Sequence, residues 1–287
     1  MTQGRTGIIG GSGLYAIDGI DIIDRLRIDT PFGAPSDELL LARFNDQEVL
    51  FLPRHGQGHT TPPHKINYRA NIYAMKLAGV KRIISISAVG SLRESIAPGD
   101  FVVVDQFVDR TRDRHATFFD GPVVAHVSMA DPVCSRLRHQ LITACNGADI
   151  TTHSSGTYLV MQGPQFSTRA ESELYRSWGM DVIGMTNMPE AKLAREAEIC
   201  YATVAMSTDY DCWHEDEEDV SVASVIEVMR SNTENAQRML HRFFESDSGD
   251  LTHCACHNTL EYGVFADLKA QDDDALRPIH ALVERFL

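Results

Sequence analysis

The chain has 287 residues, 43% hydrophobic and 23% charged, which is ordinary globular composition and enough length to bury a sizeable core. A formal net charge of -14 argues against nucleic acid or an anionic membrane surface as partners, since both demand clustered Lys and Arg, although an acidic whole can still carry a small basic pocket. No basic segment leads into an apolar run, no stretch approaches about 20 uninterrupted apolar residues, no lipidation motif closes the chain, and six cysteines are too few and scattered for a disulfide scaffold. The expectation is a soluble cytoplasmic protein with mostly reduced thiols.

The first strand candidate, TGII at 6 to 9, runs into Gly-Ser-Gly-Leu-Tyr-Ala at 11 to 16, a formal match to the G-x-G-x-x-A loop of a dinucleotide fold. That fold needs a helix of about ten or more residues after the loop and an acidic residue about 20 positions on. Here Gly19 interrupts, and apolar alternation resumes at Ile20, Ile22 and Ile23. A dinucleotide helix does not fit. What remains is a strand followed by Gly10, Gly11, Ser12 and Gly13, a turn whose successive N–H groups and hydroxyl make a nest for one phosphate.

The next strand, EVLFLP at 48 to 53, opens into PRHGQGHTTPPHKINY, which supplies Arg54, His55 and His59. Arg suits bidentate phosphate binding, and no carboxylate or Cys stands beside the histidines at ligand spacing, so the loop reads as an anion site and not a metal site. A helix over 66 to 80 and a strand RIISIS at 82 to 87 follow, ending in Ser87, Ala88 and Gly90, a third terminus of hydroxyl and glycine. Strands are then expected at 100 to 107, 157 to 162, 181 to 185 and 200 to 207, and helices at 132 to 147, 169 to 179, 189 to 199 and 221 to 246. The acidic run at 214 to 220 reads as a solvated loop. Alternating strands and helices predict a single α/β domain over 1 to 287, a central sheet covered by helices on both faces, with about 247 to 287 as an extension of irregular chain and then a helix.

At the end of the last strand stands STDYDCW, with Asp209 and Asp211 two residues apart. If extended, the two carboxylates point the same way, and crowding between them raises one pKa so that a protonated acid persists near neutrality.

GIIGGSGL, DTPFGAPSD, PRHGQGHT, SAVGSLRESIAPGD, QGPQFSTRAE, GMTNMPEAKLA and STDYDCW, taken in this order over about residues 6 to 240, resemble the trimeric purine nucleoside phosphorylase family. The resemblance implies one α/β domain with a central mixed sheet. It also implies cleavage of an N-glycosidic bond by orthophosphate, with no organic or metal cofactor. It is closest to the branch acting on 5′-methylthioadenosine, which yields adenine and 5-methylthioribose 1-phosphate. A 6-oxopurine or broad-range phosphorylase is the alternative, and a non-catalytic or dinucleotide-binding protein a distant one. Position by position, the resemblance places phosphate against Ser12, Arg54, His55, Ser87, Ala88 and Thr186, and ribose and base against Phe166, Ser167, Met185, Asp209 and Asp211.

The resemblance further implies a homotrimer, with pairing of trimers into a hexamer left open, in which His126 reaches the neighbour's site. Val222, Val225 and Ile226 would wall the 5′ substituent, although their i, i+3, i+4 spacing is equally that of a buried helix stripe. A purine leaving C1′ needs an anion under the sugar and a proton donor at the base, so Asp209 is the candidate donor to N7 and Asp211 the acceptor for the exocyclic amine. Asp209 and Ser167 favour adenine, because relatives acting on 6-oxopurines commonly carry Asn and Glu there. HCACH at 253 to 257 lies outside these motifs, and Cys254 and Cys256 could bind metal, form a strained disulfide or stay reduced.

Overall fold

The apolar, β-branched runs assemble into one mixed sheet. In the computed structural model, residues 4–11, 14, 20–44, 47–214, 222–247 and 254–287 are described, residues 222–226 by backbone alone. Among the described residues the strands are β1 (Arg5–Gly10), β2 (Ile20–Leu26), β3 (Leu39–Phe44), β4 (Gln47–Pro53), β5 (Val80–Ser91), β6 (Phe101–Val103), β7 (Gln106–Asp109), β8 (Thr152–His153), β9 (Thr157–Val160), β10 (Val182–Gly184) and β11 (Cys200–Asp209). The helices covering them are α1 (Tyr68–Leu77), α2 (Ser135–Gly147), α3 (Arg169–Ser177), α4 (Asn187–Glu196) and α5 (Val222–Ser246).

The sheet is internal, as its composition predicts. Ile8, Ile9, Ile83, Ile84, Val204 and Ala205 are buried, which is the pattern of strands covered on both faces. Ile72, Met75, Leu193 and Ala194 of α1 and α4 pack into one core layer, and Leu137, Leu141, Met239, Leu240 and Phe243 of α2 and α5 into another. Helix α3 starts on a capping box between Thr168 and Glu171.

Strands β4, β1, β5 and β11 run parallel, so their carboxyl ends, at Pro53, Gly10, Ser91 and Asp209, face the same way. β5 is the branch point. Its register with β1 ends at Ser85, whereas β11 accompanies it to Gly90 on the other edge. Gly90 is also paired with Ile183 of β10, which therefore joins the edge that β1 left. Among the described residues, 86 to 89 have no strand on that edge, and the sheet is split there.

The structure departs from the sequence reading in three places. The strand expected over 100 to 107 is two: β6 pairs with β11 and β7 with β9, and between them Val104 and Asp105 donate to Thr203 O and Gly156 O as the chain crosses the split. Strands β2 and β3 form an antiparallel edge that the sequence analysis did not place, because β2 is solvated on most of its length and lacks a clean burial period. The tail is not one helix. Two single turns, α6 (Asp273–Leu276) and α7 (His280–Val283), flank Pro278, which has no N–H to continue a helical ladder. The dinucleotide alternative also fails here, because the chain re-enters the sheet at Ile20.

The end of α5 is anchored by charge. Asp247 accepts from both Nη atoms of Arg82, whose Nε donates to Thr6 Oγ1 at 2.7 Å, and both charged side chains are buried. Asp247→Ala is expected to cost about 3–5 kcal/mol, because it strands a buried guanidinium. The check is a pair of urea unfolding curves, and a loss below about 1 kcal/mol would assign the pair the weight of a surface salt bridge.

Candidate active site

The split in the sheet leaves main-chain carbonyls without strand partners, and Arg54 satisfies them. From the first residue after β4, its Nη1 donates to Ile86 O at 3.1 Å and its Nη2 lies 3.3 Å from Ile9 O and 2.6 Å from Ser85 Oγ. Its Nε and Nη2 grip the Glu190 carboxylate at 2.8 and 3.1 Å, with both side chains buried. Glu190 Oε1 also accepts from Ser85 Oγ at 2.7 Å and Tyr201 OH at 2.8 Å. Burial opposes the Arg54 charge, but the Glu190 carboxylate outweighs it and holds the pKa above the usual value. From the sequence Arg54 is expected to bind phosphate; the structure pairs it with a carboxylate, and among the described residues Nη1 donates to Ile86 O alone.

Above this pair the unpaired stretch of β5 opens to solvent. Ala88 is exposed while Ser87 and Val89 on either side are buried. Ser87 Oγ lies 3.1 Å from Tyr158 OH and 3.4 Å from Thr186 Oγ1, bringing three hydroxyls together at the floor of the opening. Thr186 precedes α4 and its side chain makes no cap bond, so its hydroxyl is not committed to the helix. Arg54 N donates to Gly10 O at 3.0 Å, which ties the loop after β4 to the loop after β1. A Cβ on Gly10 would meet Leu14 Cδ1 at 2.3 Å, so a larger residue there would displace the Leu14 side chain. Ser12 lies outside the described residues.

His55 adds a neutral ring. Its Nδ1 is 2.8 Å from Thr61 O, and it stacks on His59 with centroids 4.1 Å apart. Burial, joined by the Arg54 and His59 charges, lowers its pKa to about 4. Nδ1–H donates to Thr61, which leaves Nε2 an acceptor.

The carboxylates sit at the far end of the opening. Asp209 closes β11, with Oδ2 accepting from Thr208 Oγ1 at 2.6 Å and Oδ1 from Asp211 N at 2.8 Å. A Cβ on Gly90 would stand 3.0 Å from Asp209 Oδ1, so this glycine makes room for the acid. Asp211 is in a left-handed turn at φ 52° and accepts from Ser172 Oγ of α3 at 2.6 Å. The pair is therefore not extended as the sequence analysis supposed. Both pKa values are raised by burial; the Asp209 charge is a lesser contribution at Asp211, and crowding has no part at Asp209.

The structure does not bring all of the remaining predicted residues to this opening. Met185 Sδ packs over Gly163, where a Cβ would come within 2.4 Å and φ is +62°. Ser167 O accepts from the Cys212 thiol next to Asp211. Phe166 is 81% exposed. His126 is exposed on a distant segment, edge-on to Phe265 and joined through its N–H to Gly263 O. Val222, Val225 and Ile226 begin α5, and their side chains lie outside the described residues.

Sequence reasoning missed Glu190, Tyr158, Tyr201 and Arg114. The last donates to Met185 O, Met188 O and Gln162 O at 2.7 to 2.9 Å, fixing the approach to α4. The available signal was Glu190 itself, an acid beside the apolar Ala191, Leu193 and Ala194 of α4.

The family model for the phosphorylase superfamily matches residues 5–245. A relative from Geobacter sulfurreducens named S-methyl-5'-thioadenosine phosphorylase is 52% identical, over 92% of this chain and 92% of its own. One of the same name from Thermofilum pendens is 51% identical over 91% and 98%. A methylthioadenosine phosphorylase structure from an antarctic soil metagenomic library superposes with a TM-score of 0.93 at 46% identity, covering 97% of this chain and 98% of that one. A methylthioadenosine phosphorylase from Schistosoma mansoni in complex with adenine superposes at 0.80 with 35% identity, covering 98% of both.

The raised pKa of Asp209 sets a pH test independent of any substrate. Below the unfolded pKa the carboxyl is protonated in both states and its contribution to stability is complete. As pH rises the unfolded chain ionises first, so that contribution is lost up to the raised folded value. Asp209→Asn cannot ionise, and its stability relative to wild type is expected to improve between about pH 4 and pH 7. Urea midpoints of both proteins at the two pH values measure the change; an identical difference at both would mean an ordinary carboxyl.

Proposed function

The chain belongs to the phosphorylase superfamily, and from that premise we propose that it cleaves 5′-methylthioadenosine with orthophosphate, giving adenine and 5-methylthioribose 1-phosphate. The observation that carries this reading is the split beside β5, with three hydroxyls at its floor and a carboxyl of raised pKa at its end.

Phosphate occupies the floor, where the Thr186 and Ser87 hydroxyls, the Ala88 main chain, the remaining Nη1–H of Arg54 and the Ser12 loop donate to it. The neutral His55 ring accepts from the protonated oxygen of hydrogen phosphate through Nε2. Because Glu190 already neutralises Arg54, phosphate is held mainly by directed hydrogen bonds, which fix its orientation for in-line attack. The purine stacks along Phe166 and Met185, with Ser167 and Asp211 at its polar edge. As the C1′–N9 bond breaks, its electron pair goes to the purine and Asp209 gives its proton to N7. A phosphate oxygen then closes on C1′ from the opposite face, and solvent returns the proton to Asp209.

Orthophosphate is a co-substrate, and no step of this chemistry calls on a cofactor. Asp209 and Ser167 favour adenine over a 6-oxopurine. Val222, Val225 and Ile226 wall the methylthio group. A homotrimer places His126 of one copy at the site of the next, a reading supported by the aromatic patch around it, where Tyr262 is 88% and Phe265 74% exposed. The setting is the cytoplasm; no helix among the described residues is long and apolar enough to cross a membrane.

Incubation with 5′-methylthioadenosine is expected to release adenine only when orthophosphate is present. Release without it would make the protein a hydrolase, and no release would remove the assignment. Asp209→Asn is expected to lower kcat on this substrate by roughly 10² to 10⁴, or about 3 to 5 kcal/mol of barrier, with a smaller change in KM. Steady-state kinetics of the two proteins decide it, since an intact kcat would place the proton donor elsewhere.

A further inference from the structure

Four cysteines far apart in sequence meet at one point in the fold. Cys134 is the N-cap of α2, Cys200 opens β11, and Cys254 and Cys256 belong to the tail. Their four Sγ atoms all lie within 4.8 Å of one another, Cys134 and Cys254 at 3.7 Å, and Cys134, Cys200 and Cys256 are buried. The sequence left metal, disulfide and free thiols open for Cys254 and Cys256, which by themselves offer two thiols. The fold supplies the other two.

The spacing suits a shared ion. Four thiolates at the usual Zn–S length of about 2.3 Å form a tetrahedron with edges of about 3.8 Å. Disulfides would draw the sulfurs into pairs at about 2.05 Å, whereas here all four form one cluster. The surroundings offer N–H donors to thiolate: Arg195 Nη1 lies 3.7 Å from Cys256 Sγ, and His257 Nε2 lies 3.4 Å from Cys200 Sγ and 3.1 Å from Lys81 O. Such outer contacts offset the negative charge of a tetrathiolate complex and orient its ligands.

We propose that Cys134, Cys200, Cys254 and Cys256 form a closed site for a thiophilic tetrahedral divalent cation, zinc being the ion of that preference. With four protein ligands it keeps no open position and is structural, not catalytic. Binding deprotonates the thiols and releases their protons to solvent. The ion staples the tail to α2 and β11. Beyond the staple, Leu260, Leu268, Ile279, Leu282 and Val283 enter the core, and Gly263 holds the main chain of His126.

The test uses the full-length protein, expressed with zinc in the medium and purified without chelator. Elemental analysis is expected to give about one zinc per chain, and Cys254→Ser/Cys256→Ser to carry less than a tenth of that. Reduced, metal-stripped wild type titrated with zinc is expected to rebind one equivalent, and with cobalt(II) to develop the charge-transfer absorption of tetrahedral thiolate ligation. Six thiols should react after denaturation with chelator. Two reactive thiols without reductant would mean that the four close as disulfides, and a reduced protein that binds neither ion would leave a packed thiol cluster; either result overturns the proposal. These readouts do not involve nucleoside cleavage, so the proposal stands or falls apart from the function assigned above.

Discussion

The Arg54–Glu190 pair is the constraint on which the site depends. A parallel sheet normally satisfies its carbonyls strand against strand, and opening one at its centre leaves buried acceptors that cost about 1–3 kcal/mol each. Arg54 answers the carbonyls of Ile9 and Ile86 with one guanidinium, and Glu190 offsets the charge so introduced. A buried ion pair seldom repays its desolvation by attraction alone. Here Ser85 and Tyr201 satisfy the carboxylate, and Asn187 Nδ2 bonds to Ser85, Tyr201 and Thr203 in turn. The pair thus does for the split what a strand would otherwise do, and leaves the opening free for a ligand. Removing the arginine alone would bare a buried carboxylate, so a loss of phosphate affinity on that change would not separate binding from folding.

The two ends of the cleft solve opposite electrostatic problems. At the floor, neutral donors face the position assigned to an anion: hydroxyls, a charge-balanced guanidinium, and a histidine kept neutral by burial. Desolvation there penalises unpaired charge and strengthens hydrogen bonds, so directed donors suit the site. At the other end burial disfavours the carboxylate form of Asp209 and raises its pKa, which suits the proton donor proposed there. The bonds from Thr208 and Asp211 N pull the other way, so the acid is tuned between two influences and is not fully locked as neutral.

Much of the candidate site was legible because groups at the carboxyl ends of parallel strands follow their strands in sequence. The loops after β1, β4 and β5 each show glycine or hydroxyl groups directly after an apolar run, and Asp209 closes the last such run. Partners that arrive from elsewhere were not legible. Glu190 lies 136 positions from Arg54, and no local pattern links a helix acid to a loop arginine. The strand expected over 100 to 107 has uniform composition, and its break at Val104 and Asp105 is imposed by two neighbours on opposite sides of the split. The pKa of Asp209 was expected in the right direction for the wrong reason, because neighbouring positions in sequence suggested crowding, whereas depth in the fold decides it.

The floor and the walls of the cleft are built to different standards of rigidity. Among the described residues, the proposed floor groups come from β5, from the first residues after β4 and from Thr186, braced by Arg54 and Arg114. Phe166, proposed as an aromatic wall, follows Gln165 on a loop and stands 81% exposed, and Asp211 is held by a turn and one hydroxyl. Phosphate is the same in every turnover, and its attack requires placement within a fraction of an ångström, so rigid strands suit it. The sugar and base must enter, react and leave as separate products, which requires walls that can be re-formed around each. A second copy supplying part of that wall would exclude more water once assembled, so the proposed trimer and the burial that raises the Asp209 pKa belong to the same design.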